Sequence, residues 1–310
     1  MPTGSQGSIR LFRIAGINVF LHWSWFLVAV FEINSRAGRY SSILWNILEY
    51  LALFLIVTMH EFGHALACRQ VGGTSEQIVL WPLGGVAYVN PPQRPGAVLW
   101  SLAAGPLVNV ALIPVLMLLG WVGWSLGWPL DLPNLYALIR AIAFINAALL
   151  IFNILPVYPL DGGQILRSLL WFVMGRARSL LVATLIGFVG VAALIVLAIR
   201  MRSIWFGILS AFILLNCWGG LKQAVTLLRL AKLTPRIGHT CPWCKTPPPL
   251  GHFWRCPHCR TMFDTFETHG VCPQCAAHFP EAQCLHCGRV TPLGEYAEPA
   301  VTLPQPFVRA

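Results

Sequence analysis

The sequence predicts an all-α polytopic membrane protein of about six transmembrane helices, with a small membrane-associated β element and a small cysteine-rich domain behind it. Three observations carry this reading. The chain has 310 residues, of which 56% are hydrophobic and only 10% charged, whereas soluble domains carry about 25% charge. So much apolar surface cannot be hidden in one core and must face lipid. Six apolar stretches can be drawn at about 20–34, 43–67, 97–120, 135–155, 180–199 and 203–221, most of them near the ~20 residues that cross hydrocarbon. Eight of the ten cysteines follow residue 240, as four CxxC pairs.

Residues 8–20 alternate roughly between apolar and polar, with Gly16 as punctuation, which predicts a short strand or hairpin ahead of the first span. That first apolar run reads as retained rather than as a cleaved leader, because no small-residue cleavage site follows it. Residues 1–232 hold fifteen Lys and Arg against six Asp and Glu, a net +9; residues 233–310 hold six against five, a net +1. The basic residues sit between the apolar segments instead of along one stripe, which argues against nucleic acid as a partner. Assigning the N-terminus to the cytoplasm leaves ten basic residues in the inner segments and at most five outside. Six spans then return the C-terminus to the cytoplasm. Trp121, Trp124 and Trp128 in an outer loop read as interfacial anchors. The expected setting is a multi-pass protein of a bacterial cell (inner) membrane, in contact with lipid. Thr234-Pro235-Arg236-Ile237-Gly238 breaks the composition. The expected organisation is therefore a membrane domain over 1–232, a cysteine-rich domain over 239–290 and a disordered stretch over 291–310.

The chemistry is written at the inner end of the second span, where His60-Glu61-Phe62-Gly63-His64 ends an apolar run. On a helix this spacing puts two imidazoles on one face, within reach of one zinc ion, with a glutamate placed to activate a metal-bound water. Ionisable groups inside a membrane are costly and mark function. A catalytic zinc takes three protein ligands and keeps a position for water. The best candidate for the third is Asp161, in Asn153-Ile154-Leu155-Pro156-Val157-Tyr158-Pro159-Leu160-Asp161-Gly162-Gly163. Crossing parity returns it to the same side of the membrane as the histidines. The two prolines break the fourth helix just before it, and the glycines permit tight backbone nearby.

His60, Glu61 and His64, the Asn153–Gly163 segment, Pro82-Leu83-Gly84-Gly85 and Gly105-Pro106-Leu107-Val108-Asn109 together resemble the site-2 protease family of intramembrane zinc metalloproteases, over roughly residues 8–222. The resemblance implies that His60, His64 and Asp161 bind zinc. It implies that Glu61 is the general base and then gives the proton to the leaving amine. Asn153 would orient substrate or stabilise the oxyanion, and Pro82–Val86 would form a re-entrant or edge-strand element beside the site. It further implies hydrolysis of transmembrane protein substrates, whose helices must unwind to expose a peptide bond. The PDZ domain of many members is not visible here.

The four pairs are Cys241/Cys244, Cys256/Cys259, Cys272/Cys275 and Cys284/Cys287. They read as zinc knuckles in a reducing compartment. Two structural zinc sites follow, the simplest assignment joining the first two pairs and the last two, with a swapped pairing, or iron, left open. Counting the membrane site gives one catalytic and two structural zinc ions. Asn109 reads as an interhelical hydrogen bond, and His22 as a packed or interfacial histidine. Glu32 and Glu49 read as solvated or paired span-end residues, and Cys68 and Cys217 as packing residues. The alternative function is a non-proteolytic membrane scaffold recruiting a partner through the zinc knuckles; a metal transporter fits less well, because the ligands cluster at one rim.

Overall fold

A computed structural model describes residues 7–36, 38–81 and 84–296. The chain forms two compact units, Met1–Lys222 and Gln223–Ala310, so the division falls before the composition break at 233–240. In the first unit β1 (Ser8–Ile14) and β2 (Ile17–His22) pair antiparallel. Ala15 and Gly16 between them both have positive φ, the geometry of a tight two-residue hairpin turn. After α1 (Ser24–Ser35) and α2 (Ile43–Gln70), β3 (Thr74–Trp81) lies parallel to β2 and β4 (Gly84–Asn90) antiparallel to β3. The sheet order is β1-β2-β3-β4, which leaves β4 as an edge. Of the predicted Pro82–Val86 element, Pro82 and Leu83 lie outside the described residues, and the backbone from Gly84 on is this edge strand.

Among the described residues five helices are long and apolar enough to cross a membrane: α2, α3 (Pro95–Ser125), α5 (Pro133–Ile154), α6 (Asp161–Met201) and α7 (Ile204–Leu230), with the short α4 (Trp128–Asp131) in the α3–α5 connection. The expected span at 20–34 is not one of them. It is divided between β2 and the twelve-residue α1. The two nevertheless run antiparallel along the whole of α2. At one end the Arg69 guanidinium binds the Ala15 and Gly16 carbonyls. In the middle Trp25 packs on Tyr50 and Phe54, and at the far end Asn46 Nδ2 donates to the Ile33 carbonyl at 3.3 Å. Strand and helix add to about 38 Å, close to the ~42 Å of α2. Composition made a single helix of what is a strand followed by a short helix.

α2 starts on Ser42, whose extended backbone and hydroxyl cap the Leu44 amide. The sheet packs on its last turns through Ile17, Val19, Ile78, Leu80 and Ala65. α3 packs close against α2 at Gly63, where a Cβ would lie 2.7 Å from the Ala104 carbonyl oxygen. Residues 155–160, with Pro156 and Pro159, separate α5 from α6 as expected. A Cβ at Gly162 would collide with the Ile154 and Leu155 carbonyls, and one at Gly163 would lie 2.7 Å from the Val157 carbonyl. The tight backbone that the glycines permit is thus the approach of their own loop. α6 begins earlier than the predicted span at 180–199. Gly175, with φ 78° and ψ 171°, breaks it into two helical segments. Glu49 is buried and paired with Arg36, Arg39 and Tyr40, a structural role. His22 stacks on Trp81.

The second unit holds the end of α7 and two small sheets, β5–β6 (Trp254–Arg255, Met262–Phe263) and β7–β8 (Glu281–Gln283, Val290–Pro292). Four knuckles repeat one backbone design. The residue after each second cysteine (Lys245, Arg260, Ala276 and Gly288) is left-handed. Its N–H bonds the carbonyl of that knuckle's first cysteine at 2.8–3.0 Å. Asp264 is buried, accepts the Phe266, Glu267 and Gly251 amides, and pairs with Arg236. Order continues past the expected boundary at 290. β8 and a 3₁₀ turn, Leu293–Tyr296, bring the Tyr296 ring into the core against Phe266. The expected disorder of 291–296 is therefore wrong, because Tyr296 supplies core surface that this small unit otherwise lacks. Residues 297–310 lie outside the described residues.

Candidate metal centres

In the membrane unit His60, Glu61 and His64 are all buried on α2. His60 Nε2 and His64 Nε2 lie 3.1 Å apart, and Asp161 Oδ2, from the first residue of α6, is 3.0 Å from the former and 3.3 Å from the latter. The crossing parity read from the sequence is thus matched by contact between the three side chains. The far sides of both imidazoles are engaged. His64 Nδ1 faces the Ser101 carbonyl at 2.8 Å, and His60 Nδ1 faces Asn109 Oδ1 at 2.6 Å. A carbonyl oxygen can only accept, so both rings carry their proton on Nδ1. Both Nε2 atoms then present lone pairs to each other and to a carboxylate. With both rings neutral, three acceptors converge with no hydrogen among them, and a cation satisfies that donor set. The separations suit one ion: tetrahedral zinc with bonds of about 2.0–2.1 Å has ligand–ligand edges of about 3.3 Å.

Gly105 on α3 keeps the space open. A Cβ there would lie 2.8 Å from His60 Nε2 and closer still to His64 Nε2. Glu61 sits beside the triad, its Oε2 accepting the Ala87 N–H of β4 at 3.0 Å. Asn153 is half-buried in the last turn of α5, and its amide makes no hydrogen bond to the triad among the described residues. The asparagines that do reach the site are Asn109, predicted as an interhelical contact, and Asn146 of α5, which the sequence did not single out.

In the second unit the cysteine groups are Cys241, Cys244, Cys284 and Cys287, and Cys256, Cys259, Cys272 and Cys275. The first pair joins the fourth and encloses the second and third. This corrects the sequential pairing; intervals of 11, 12 and 8 residues between pairs permit either arrangement, so spacing could not decide it. Facing Sγ atoms stand 3.5–3.8 Å apart. That is far beyond a disulfide's ~2.05 Å and near the ~3.8 Å edge of a tetrahedral zinc–thiolate site. The Cys284 thiol hydrogen-bonded to Cys244 holds Cys244 low, as a thiolate, while Cys284 is pushed up by the same contact. The thiolate is the metal-binding form.

Known proteins share the membrane unit. The family model described as peptidase family M50 matches residues 49–128 and 129–197. The chain is 35% identical over 180 residues to the zinc metalloprotease MJ0392 of Methanocaldococcus jannaschii, covering 58% of this chain and 50% of that one. It is 28% identical over 237 residues to the putative zinc metalloprotease sll0528 of Synechocystis, covering 71% and 61%. It is 30% identical over 179 residues to the putative zinc metalloprotease Rip3 of Mycobacterium tuberculosis, covering 54% and 44%. The chain thus spans about half of the length of these curated relatives. Among solved structures, a site-2 protease from Methanocaldococcus jannaschii superposes with a TM-score of 0.51 at 28% identity, covering 69% of this chain and 95% of that one.

Both kinds of centre can be tested by metal content. Gly105→Ala puts a methyl group where the ion would sit, so elemental analysis of the purified full chain should show one metal fewer than wild type; an unchanged count would overturn the membrane site as drawn. The nested pairing predicts that Cys244→Ser with Cys284→Ser disables one cysteine site, whereas Cys244→Ser with Cys259→Ser disables both. Sequential pairing predicts the reverse counts.

Proposed function

We propose that this chain, which matches peptidase family M50 over residues 49–197 and resembles the site-2 proteases, is an intramembrane zinc metalloprotease that hydrolyses peptide bonds of transmembrane protein substrates. The observation that carries the proposal is the convergence of His60, His64 and Asp161 beside a buried Glu61. These three side chains would hold the ion; bound zinc supplies a Lewis acid for the scissile carbonyl and lowers the pKa of its water towards ~7.

The remaining work falls to the chain's own groups. Glu61 takes the proton of the attacking water and returns it to the leaving amine. Its carboxylate is aimed by the Ala87 amide, so its position is set by the edge strand rather than by α2 alone. Because that N–H points out of the β3–β4 ladder, the alternation of an antiparallel strand turns the backbone groups of Gly85 and Val89 the same way. An unwound substrate segment adding to this edge would then run alongside Glu61. Asn153, in the last turn of α5, is the side chain offered for orienting substrate or the oxyanion. Its absence from the triad's hydrogen bonds leaves its amide available for that task. The basic residues of the inner loops support cytoplasmic termini, and the two cysteine sites would each hold a structural zinc.

Glu61→Gln separates this reading from the scaffold. The variant should keep the wild-type metal content and lose cleavage of a membrane substrate by about 10²–10⁴-fold, the usual weight of a general base. Cleavage at the wild-type rate would overturn the assignment. Membrane-protein fragments in cells carrying either form provide the readout, whatever the substrate's identity.

A further inference from the structure

We infer that Asn146 is a positioning residue that fixes the tautomer of His60 through Asn109, and thereby tunes the metal affinity of the membrane centre. The inference rests on the reading that His60 is a metal ligand. Asn109 and Asn146 are both fully buried, on α3 and α5. Asn146 Nδ2 donates to the Asn109 backbone carbonyl at 3.0 Å, Asn109 Nδ2 donates to Asn146 Oδ1 at 2.8 Å, and Asn109 Oδ1 faces His60 Nδ1 at 2.6 Å.

The order of these bonds is forced from one end. A backbone carbonyl cannot donate, so the Asn146 atom facing it is the NH₂ group. The other end of that amide is then oxygen, and the Asn109 atom facing it must be NH₂. The remaining Asn109 atom is oxygen, and it can only accept from His60. His60 therefore holds a proton on Nδ1, and its neutral ring offers a bare Nε2 on the side of His64 and Asp161. His64 reaches the same state directly, through the Ser101 carbonyl. His60 has only a side-chain amide in that place, and an amide can flip. With its NH₂ group turned to the ring, Asn109 would favour a proton on Nε2, where the metal must bind. Asn146 removes that choice. Outer partners of this kind weigh about 10–100-fold in metal affinity.

The test is a double-mutant cycle on the full chain in detergent, read by chelator competition for the membrane-site metal, with thermal unfolding measured beside it. Asn146→Leu frees the Asn109 amide and should weaken that metal by ~10–100-fold; Asn146→Ala carries the same expectation should leucine prevent folding. Asn109→Asp presents only oxygen to His60 Nδ1 and has no flip to control. Asn109→Asp should therefore retain affinity, and adding Asn146→Leu to it should cost little further. Two results would overturn the relay: wild-type affinity in Asn146→Leu and Asn146→Ala, or an equal loss in both backgrounds, which would mark Asn146 as packing only. A wild-type chain holding metal at the cysteine sites alone would instead overturn the His60 ligand reading, a distinct outcome.

Discussion

The structure of the membrane unit turns on an electrostatic conflict. Two imidazole lone pairs and a carboxylate oxygen are held within 3.3 Å of one another in a buried site, each presenting negative charge density to the others. The two histidines are almost wholly buried, so with neutral rings solvation relieves little of the repulsion, and the Nδ1 protons are engaged elsewhere. A divalent ion would resolve the conflict; the protein's contribution is to hold the three groups in place around the point where it would sit. The surrounding packing serves that end. α2 and α3 approach closely at Gly63, which brings the Ser101 carbonyl to His64 and Asn109 to His60. The proline-broken connection then starts α6 on the one residue that completes the triad.

Much of this was legible in the sequence, because the strongest signals are local. HExxH at transmembrane depth needs only helical periodicity to be interpreted, and Asp161 was found by the helix-breaking prolines before it and by crossing parity. What escaped was relational. Asn146 is an isolated polar residue in an apolar helix, with no spacing that ties it to His60. Its partner lies on another helix, and only the fold brings them together. The Ala87 contact to Glu61 uses a backbone amide, which no side-chain pattern advertises. The first apolar stretch was misread for a different reason. Hydropathy reports transfer to lipid and is indifferent to whether the apolar residues lie in a strand or a helix. Phe20 and Leu21, at the end of β2, differ little from helical apolar residues in a sliding window.

The cysteine-rich unit is built the opposite way. Its cores contain the candidate ligands themselves: Cys241 and Cys284 pack with Trp254, Phe266, Ala282 and Tyr296, and Cys256 and Cys272 with Phe263. Three of its four knuckles place a non-glycine residue in the left-handed region, a conformation that costs on the order of 1 kcal/mol apiece. Such turns persist where something else over-determines them, and a pair of ligands on either side of one ion would do so. The nested order adds a topological reason. The inner site joins neighbouring knuckles, and the outer site then closes the chain around it, so that the last strand and Tyr296 complete the core next to the first knuckle.

The two kinds of centre therefore divide the problem of metal binding differently. In the cysteine unit the candidate ligands come in short, repeated turns, and an ion bound there would organise the fold; the sequence announces such sites because the whole design is contained in the repeat. In the membrane unit the helices organise the candidate ligands, which come from two elements about one hundred residues apart along the chain, with their hydrogen-bond partners on two more. A site built that way needs its geometry fixed before the ion arrives. This is why buried amides, a backbone carbonyl and a glycine without a side chain surround it, and why those residues, rather than the ligands, were hardest to read from the sequence.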